Sequence, residues 1–475
     1  MRNRIKVALA RVASYQSWYR LPSLGLGYLG AVSESKGIDI KIFDGRYFNI
    51  NDQSLIEEIH RFSPDLLGFT AMTHEINRTI SIAGKLKERL HIPVIVGGCH
   101  ITALPVKTME DFPIIDYGVI GEGEDTLLDI IKYINGNGKI EDIEGIVYRN
   151  NGIVCQNRPR EPIMDLDALP FPAFRHYYKQ NGRKALTNSN LYYQMITSRG
   201  CPFTCAFCMR VLGRIVRRRS PENILEEINF AVNEYGAHTI NFADEIFLFN
   251  DDRTKEILSK FIVEGLPKKI RWSGLTRVDL VDQRLINLAK KAGCHRLEIG
   301  VESGDNDILK RINKNINVTQ VQSAVNMIKK AGIKVAAFYI LGHPGENEDT
   351  IRKTIDLAVK LDTDTIAVGI MVPYPGTKVY EWAQQKKFGY NLRSADWNDY
   401  DKFGRTPLEI EGLPIKKLER FQRQAYAYFY LKNFRLLDLI KFIISKYKGI
   451  LAVLKRQFCI PPTQPERVFR EIEDK

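Results

Sequence analysis

From the N-terminus, short β-rich apolar runs alternate with longer segments whose apolar positions recur every three or four residues. Lys6–Leu9, Asp39–Phe43, Leu66–Thr70, Val94–Gly97 and Tyr117–Ile120 read as strands, and Leu24–Ser35, Leu55–Phe62, Asn77–Leu90 and Thr126–Ile134 as helices. This alternation predicts an α/β domain over residues 1–140, a flavodoxin-like doubly wound parallel sheet with helices on both faces. Such sheets bind ligands beyond the carboxyl ends of their strands.

A hairpin follows, Gly145–Arg149 and Ile153–Gln156, turning at Asn150-Asn151-Gly152. Pro159, Pro162, Pro170 and Pro172 come next, so residues 141–190 read as a hairpin and linker at a domain boundary. A second β/α series occupies residues 191–393. Its strands read as Tyr193–Thr197, Thr239–Phe242, Ile270–Gly274, Arg296–Gly300, Val335–Ile340 and Thr365–Met371, with helices such as Asn223–Glu234 and Val318–Lys330 between them. Six repeats fall short of a closed barrel and predict a partial (β/α)6 TIM-type barrel. Residues 394–475 read as a basic helical domain, tyrosine-rich at Tyr426, Tyr428 and Tyr430.

Composition narrows the setting. A chain of 475 residues, 44% hydrophobic and 26% charged, suits a soluble protein of several domains. It has no apolar run of about 18 residues and no signal-like N-terminus, so the expected location is cytoplasmic. The formal charge is +13, and eleven Lys or Arg against two acids fall between Lys416 and Arg456. No nucleic-acid-binding module accompanies that charge, so no nucleic acid partner is expected. Within it, Leu436–Leu454 carries apolar residues at helical spacing with Lys441, Lys446 and Lys448 interleaved. It reads as a helix covering the open side of the barrel, or as one making peripheral contact with an anionic membrane.

Of the seven cysteines, Cys99, Cys155, Cys294 and Cys459 stand apart, and three fall in Cys201-Pro202-Phe203-Thr204-Cys205-Ala206-Phe207-Cys208, directly after a strand. An odd count in a large unsecreted chain argues against a disulfide framework. Structural zinc normally takes four ligands, often from paired CxxC units; here Cys294 is distant and His176 lacks the usual spacing. Three thiolates at this spacing suit three corners of a cubane cluster, leaving the fourth iron without a protein ligand.

The CxxxCxxC spacing, with Phe207 before the last cysteine, resembles that of the radical S-adenosylmethionine (SAM) superfamily. The resemblance implies a [4Fe–4S] cluster on Cys201, Cys205 and Cys208, with SAM chelated at the open iron and cleaved to a 5′-deoxyadenosyl radical. It also implies an external one-electron reductant, a flavodoxin or ferredoxin. Later segments agree in order, each after an expected strand. Asp244 and Glu245 look like the family's acidic pair, placed to accept from the SAM ammonium. Arg277 is placed for the SAM carboxylate. Gly300, Glu302 and Ser303 lie in a GxES-like turn, and Pro373 in a Pro-Gly turn after the sixth strand.

Gly25-Leu26-Gly27-Tyr28-Leu29-Gly30, with Asp44 beyond, matches the dinucleotide fingerprint on paper. The glycines fall inside a helical pattern rather than in the turn after the first strand, so nicotinamide or flavin binding is not expected. The N-terminal third resembles instead the cobalamin-binding domain fused to many radical SAM enzymes. The resemblance rests on the segment through Leu24, on Gly97-Gly98-Cys99-His100 and on Gly121-Glu122-Gly123-Glu124. With Thr70 and Thr73, these end neighbouring strands on one sheet edge and are the expected cobalamin contacts. The Asp-x-His-x-x-Gly motif that ligates cobalt elsewhere is absent; Asp44-Gly45-Arg46-Tyr47 is the nearest stretch. His74 and His100 are therefore not read as cobalt ligands.

The resemblance implies cobalamin-dependent methyl transfer to an unactivated carbon of a small-molecule, lipid or tetrapyrrole substrate. The alternatives are radical ring closure or carbon–carbon coupling, as in anaerobic magnesium-protoporphyrin ester cyclases, or a non-catalytic iron–sulfur carrier or sensor. No catalytic residue is assigned.

Overall fold

The computed structural model describes residues 5–13, 21–178, 191–401, 405–440 and 443–444. Lys441, Lys446, Lys448, Cys459 and most of the expected Leu436–Leu454 helix lie outside the described residues.

Five strands, β1 (Lys6–Arg11), β2 (Asp39–Asp44), β3 (Leu66–Thr70), β4 (Val94–Gly97) and β5 (Tyr117–Val119), form a parallel sheet in the order β2-β1-β3-β4-β5. The order reverses between β1 and β3, the switch point where doubly wound sheets bind ligands. Val7, Ala8 and Ala10 have no exposed surface, as expected of a strand covered by helices on both faces. The hairpin, β6 (Ile146–Asn150) and β7 (Ile153–Gln156), adds antiparallel beyond β5, so the sheet has seven strands.

The glycines of the fingerprint-like stretch sit within the helix Leu24–Ser35, and two of them, Gly27 and Gly30, serve packing. A Cβ on Gly27 would lie 2.9 Å from Phe174, and one on Gly30 would lie 3.2 Å from Ile42. Asp44 is buried near Arg11 and accepts a hydrogen bond from the Tyr177 hydroxyl.

The second sheet runs β8 (Leu191–Met195), β11 (Ala237–Phe242), β12 (Arg271–Thr276), β13 (Cys294–Glu302), β14 (Lys334–Leu341) and β15 (Thr365–Ile370) in sequential order, every neighbouring pair parallel. Between β8 and β11, the short strands β9 (Ser198–Arg199) and β10 (Arg217–Arg218) pair antiparallel and flank the cysteine turn. The helices between strands start and stop on local signals. In Pro221–Tyr235, Ser220 caps the first turn, proline stands at its start and Gly236 ends it at φ +67°. The result is a six-stranded half-barrel with a free edge at β15.

That edge is covered. The helix Ile415–Lys432 lies along β15, where the Val368 amide donates to the Tyr426 hydroxyl at 3.0 Å and Gln422 donates to the Val368 carbonyl at 2.8 Å. Side chains thus satisfy an edge that would otherwise invite pairing. Upstream, residues 394–413 depart from the helical expectation. β16 (Tyr390–Leu392) and β17 (Leu408–Ile410) pair antiparallel, and Trp397 and Tyr400 fill the core of the first domain. Asp396-Trp397-Asn398-Asp399 is rich in turn formers, and burying two large rings outweighs any helical preference there. Among the described residues, no helix is long and apolar enough to cross a membrane.

Candidate functional site

The cysteine turn is clamped to the carboxyl rim of the half-barrel. The Cys201 amide donates to the Gly213 carbonyl, and the Cys208 amide to that of Cys205. The Ala206 amide donates to Ile312 at 2.8 Å, and the Ala206 carbonyl accepts from Val379 at 3.1 Å. Gly200 makes the entry with φ +96°; a Cβ there would lie 2.2 Å from the Ile215 carbonyl oxygen, so only glycine fits. A small cleft opens beside this entry, lined by Gly200, Cys201, Ile246 and Phe249 among others.

Burial raises the pKa of Cys201, and the nearby Glu245 and Cys205 add to the rise. All six described cysteines are free. Among the described residues, no three Cys, His, Asp or Glu side chains converge on a single-ion site. His176, the distant zinc candidate, pairs with Glu34 at 2.7 Å.

The residues expected around SAM divide into those facing the turn and those turned inward. Arg277 lies 3.9 Å from the Cys205 sulfur, 3.8 Å over the Phe203 ring, and donates to Asp279 and to the Lys314 carbonyl. Glu245 reaches back to the Gly200 amide, and Phe207 packs 6.0 Å from the His343 ring. Glu302 adopts φ +67°, a conformation rare outside glycine and frequent at functional sites, and accepts from Lys314 at 2.8 Å. Gly300 lies beneath this pair: a Cβ would sit 2.2 Å from Glu302 Oε1. Pro373 is buried on the rim.

Asp244 and Ser303 correct the expectation. Asp244 is buried and accepts from the Thr197 amide, from the Thr197 hydroxyl at 2.9 Å and from the Ser198 hydroxyl at 2.5 Å. It pins the strand end before the cysteines rather than facing a ligand. Ser303 is wholly buried, contacts the Thr354 hydroxyl at 3.3 Å and accepts from the Asp305 amide.

Three residues beside this site are given no role by the sequence, although His343 and Glu346 lie in a Gly-His-Pro-Gly-Glu turn after the fifth barrel strand that resembles the family's substrate-side turn. Lys314 neutralises Glu302, between two asparagines at positive φ. His343 is fully buried, its pKa pulled down to about 4 by desolvation, with Nδ1 unpartnered. Glu346 is buried and pushed up to about 8; one oxygen accepts from the Gly342 and His343 amides while Oε1 has no partner. The only sequence signal was the His343-Pro344-Gly345-Glu346 turn after β14.

At the first sheet, three loops converge on the carboxyl edge. Gly98 (φ +100°) leaves room for the loop after β3; a Cβ would lie 2.8 Å from Thr70 Oγ1 and 2.9 Å from the Ala71 oxygen. The Ala71 amide donates to Gly97, and the Gly121 amide to the Thr102 hydroxyl at 3.1 Å. Thr73 and His100 are buried with Thr73 Oγ1 and His100 Nδ1 unpartnered, as are Thr79 Oγ1 and His74 Nδ1. Burial pulls His100 down to about 4, and Trp397 packs edge-on to it at 4.9 Å. Orphaned buried donors and acceptors at a glycine-lined edge fit a large polar ligand. Leu24 is half-buried at the start of its helix and packs against the core.

Glu122 and Glu124 are the second correction. Neither is free for cobalamin: Glu122 accepts from Arg199 at 2.7 Å and Arg217 at 2.5 Å, and Glu124 from Arg199 at 2.6 Å. They join the first domain to the strands that flank the cysteine turn.

A doubly wound sheet docked on a half-barrel, with thiols on one rim and a glycine-lined edge on the other, defines an enzyme with two adjoining cofactor sites. The family model of the radical SAM superfamily matches residues 195–358, and that of the B12 binding domain matches residues 11–131. Uncharacterized methyltransferase PH0819 of Pyrococcus horikoshii is 32% identical over 91% of this chain and 94% of that protein. Anaerobic magnesium-protoporphyrin IX monomethyl ester cyclase of Cereibacter sphaeroides is 27% identical over 77% of this chain and 60% of that protein. Among solved structures, the radical SAM methyltransferase TsrM of Kitasatospora setae, with cobalamin and a [4Fe-4S] cluster bound, shares the fold. Its TM-score is 0.68 at 18% identity, over 90% of this chain and 89% of that one. The chain belongs to the radical SAM superfamily, in the branch of enzymes that carry a B12-binding domain.

Proposed function

We propose that this enzyme transfers a methyl group to an unactivated carbon of a small molecule held on the concave face of the half-barrel. One observation carries the reading: the cysteine turn and the edge loops of the first sheet adjoin, joined through Arg199, Glu122 and Glu124. Cys201, Cys205 and Cys208 would hold the [4Fe–4S] cluster, with Arg277, Glu245, Gly300 and the Glu302–Lys314 pair around SAM. Thr70, Thr73, Gly97, Gly98, His100, Gly121 and Gly123 would line the cobalamin site. Bound there, cluster and SAM supply hydrogen abstraction, and cobalamin carries the methyl group. The chain's own part is positional: Arg277 offers fixed donors beside Cys205, and the Glu302–Lys314 pair fixes a strained turn over Gly300.

The concave face supports a polar substrate. Asn241 on β11 accepts from Ser273 on the neighbouring β12 at 3.0 Å, and on β13 Arg296 lies 3.5 Å from Glu298, two residues along the same strand. The likeness to the magnesium-protoporphyrin cyclase favours a second reading, radical ring closure on the same scaffold. An external flavodoxin or ferredoxin completes the proposal as electron donor. Exposed Phe434, Leu436, Leu437 and Ile440 beside Lys432 and Arg435 support peripheral contact with anionic membrane, which co-sedimentation with anionic vesicles tests.

The test is anaerobic turnover with methyl-labelled SAM on candidate substrates from the gene neighbourhood. Methyl transfer gives 5′-deoxyadenosine and a product heavier by one methylene. A product lighter by hydrogens selects the cyclase reading, and iron without SAM cleavage removes both.

A further inference from the structure

The four side chains at the domain junction are almost wholly buried: Arg199 and Arg217 are 4% and 1% exposed, Glu122 and Glu124 8% and 7%. Burying such charges is costly, and replacement by apolar residues often leaves stability unchanged or improved. Their arrangement has a geometric meaning instead. Arg199 lies two residues before Cys201, on the entry strand of the cysteine turn, and Arg217 lies on its exit strand. Glu122 takes one arginine on each oxygen, and its Oε2 also accepts from the Ile163 amide at 2.8 Å. Arg217 donates in addition to the carbonyls of Leu212, inside the turn, and of Ile163, in the linker. The guanidinium of Arg199 spans Glu122 and Glu124, with the Tyr28 ring 5.0 Å away. One carboxylate of the B12-binding domain therefore closes both ends of the iron–sulfur turn, while Asp244 holds the strand end on the barrel side.

We infer that Glu122, seconded by Glu124, is a positioning residue for the iron–sulfur cluster, acting through Arg199 and Arg217 from the neighbouring domain. The loop that carries it, Gly121–Glu124, also forms one wall of the edge where cobalamin is placed. Occupancy of that edge and the geometry of the cysteine turn thus share one rigid connection. The inference rests on the cluster reading proposed above.

The test is E122Q in the full-length protein, reconstituted anaerobically with iron, sulfide and hydroxocobalamin. Wild-type protein is scored first: without about four irons per chain and a SAM-responsive EPR signal, the cluster reading itself fails and this inference falls with it. Given both, E122Q is expected to keep its iron, its cobalamin spectrum and its circular dichroism. Its cluster potential should move to more positive values, because a negative charge near the irons is lost. The SAM concentration needed to perturb the EPR signal should rise about 10-fold, as for other outer residues that orient metal ligands. E161Q, exposed in the linker, removes the same charge without the contact and should match wild type. If E122Q does not fold, R199K carries the SAM titration alone, with the potential unchanged because no charge is lost, since an ammonium cannot span both carboxylates as the planar fork does. A wild-type SAM titration in R199K would then overturn the inference. A variant with full iron, wild-type potential and wild-type SAM titration would overturn the inference.

Discussion

At the half-barrel rim chemistry is carried by side chains at fixed spacing, whereas at the rim of the first sheet it is carried by backbone. Cys201, Cys205 and Cys208 sit on one turn, with Arg277 and the Glu302–Lys314 pair around it. Across the junction the charged residues are spent on domain contacts, and Gly97, Gly98 and Gly121 supply the open edge. A cubane needs named ligand atoms, so its site is written in residue types. A large flat ligand needs clearance and unpartnered polar atoms, so its site is written in what is left out.

Substitutions on the two rims sharpen the contrast. The largest effect belongs to C205S, which removes one cluster corner: iron should fall from about four per chain to near none, measured by iron assay, with cobalamin absorbance unchanged. Next comes a pH dependence at the half-barrel rim. Folded Glu346 keeps its proton up to about pH 8, against an ordinary value of 4.5. Its contribution is full below pH 4.5 and is lost as pH rises toward 8, a change of up to about 5 kcal/mol followed by denaturant titration. E346Q should flatten that slope.

At the sheet rim, G98A forces a side chain into φ +100° and against the Thr70 hydroxyl and the Ala71 backbone. It should cost about 2 kcal/mol and weaken cobalamin retention on gel filtration while the iron content stays at the wild-type level. G121A meets no atom within 4 Å and keeps only the φ +75° strain, so the smallest effect, about 1 kcal/mol by thermal melting, is expected. Equal costs for the two glycines would mean that clearance is not what the sheet rim provides.

The strands were legible because each is a short buried run between helical repeats; Leu24–Ser35 and Val318–Lys330 match the expected helices end for end. The cysteine turn was legible because ligand spacing is local. The partners of a carboxylate are not: Glu122 meets arginines 77 and 95 residues away, and Asp244 meets hydroxyls 46 and 47 residues away. Residue type alone does not tell a ligand contact from a domain contact. Trp397 and Tyr400 were hidden for the same reason, since their burial is decided by the first domain and not by their own segment. Lys314 and Glu346 became visible only once β13 and β14 placed them beside the cysteine turn.

The most direct test of the account is the EPR spectrum of the dithionite-reduced, anaerobically reconstituted protein before and after SAM is added. A three-cysteine cluster with an open iron predicts a [4Fe–4S]⁺ signal whose g-values shift on binding SAM. Zinc in place of iron, or a cluster signal that SAM leaves unchanged, would contradict it.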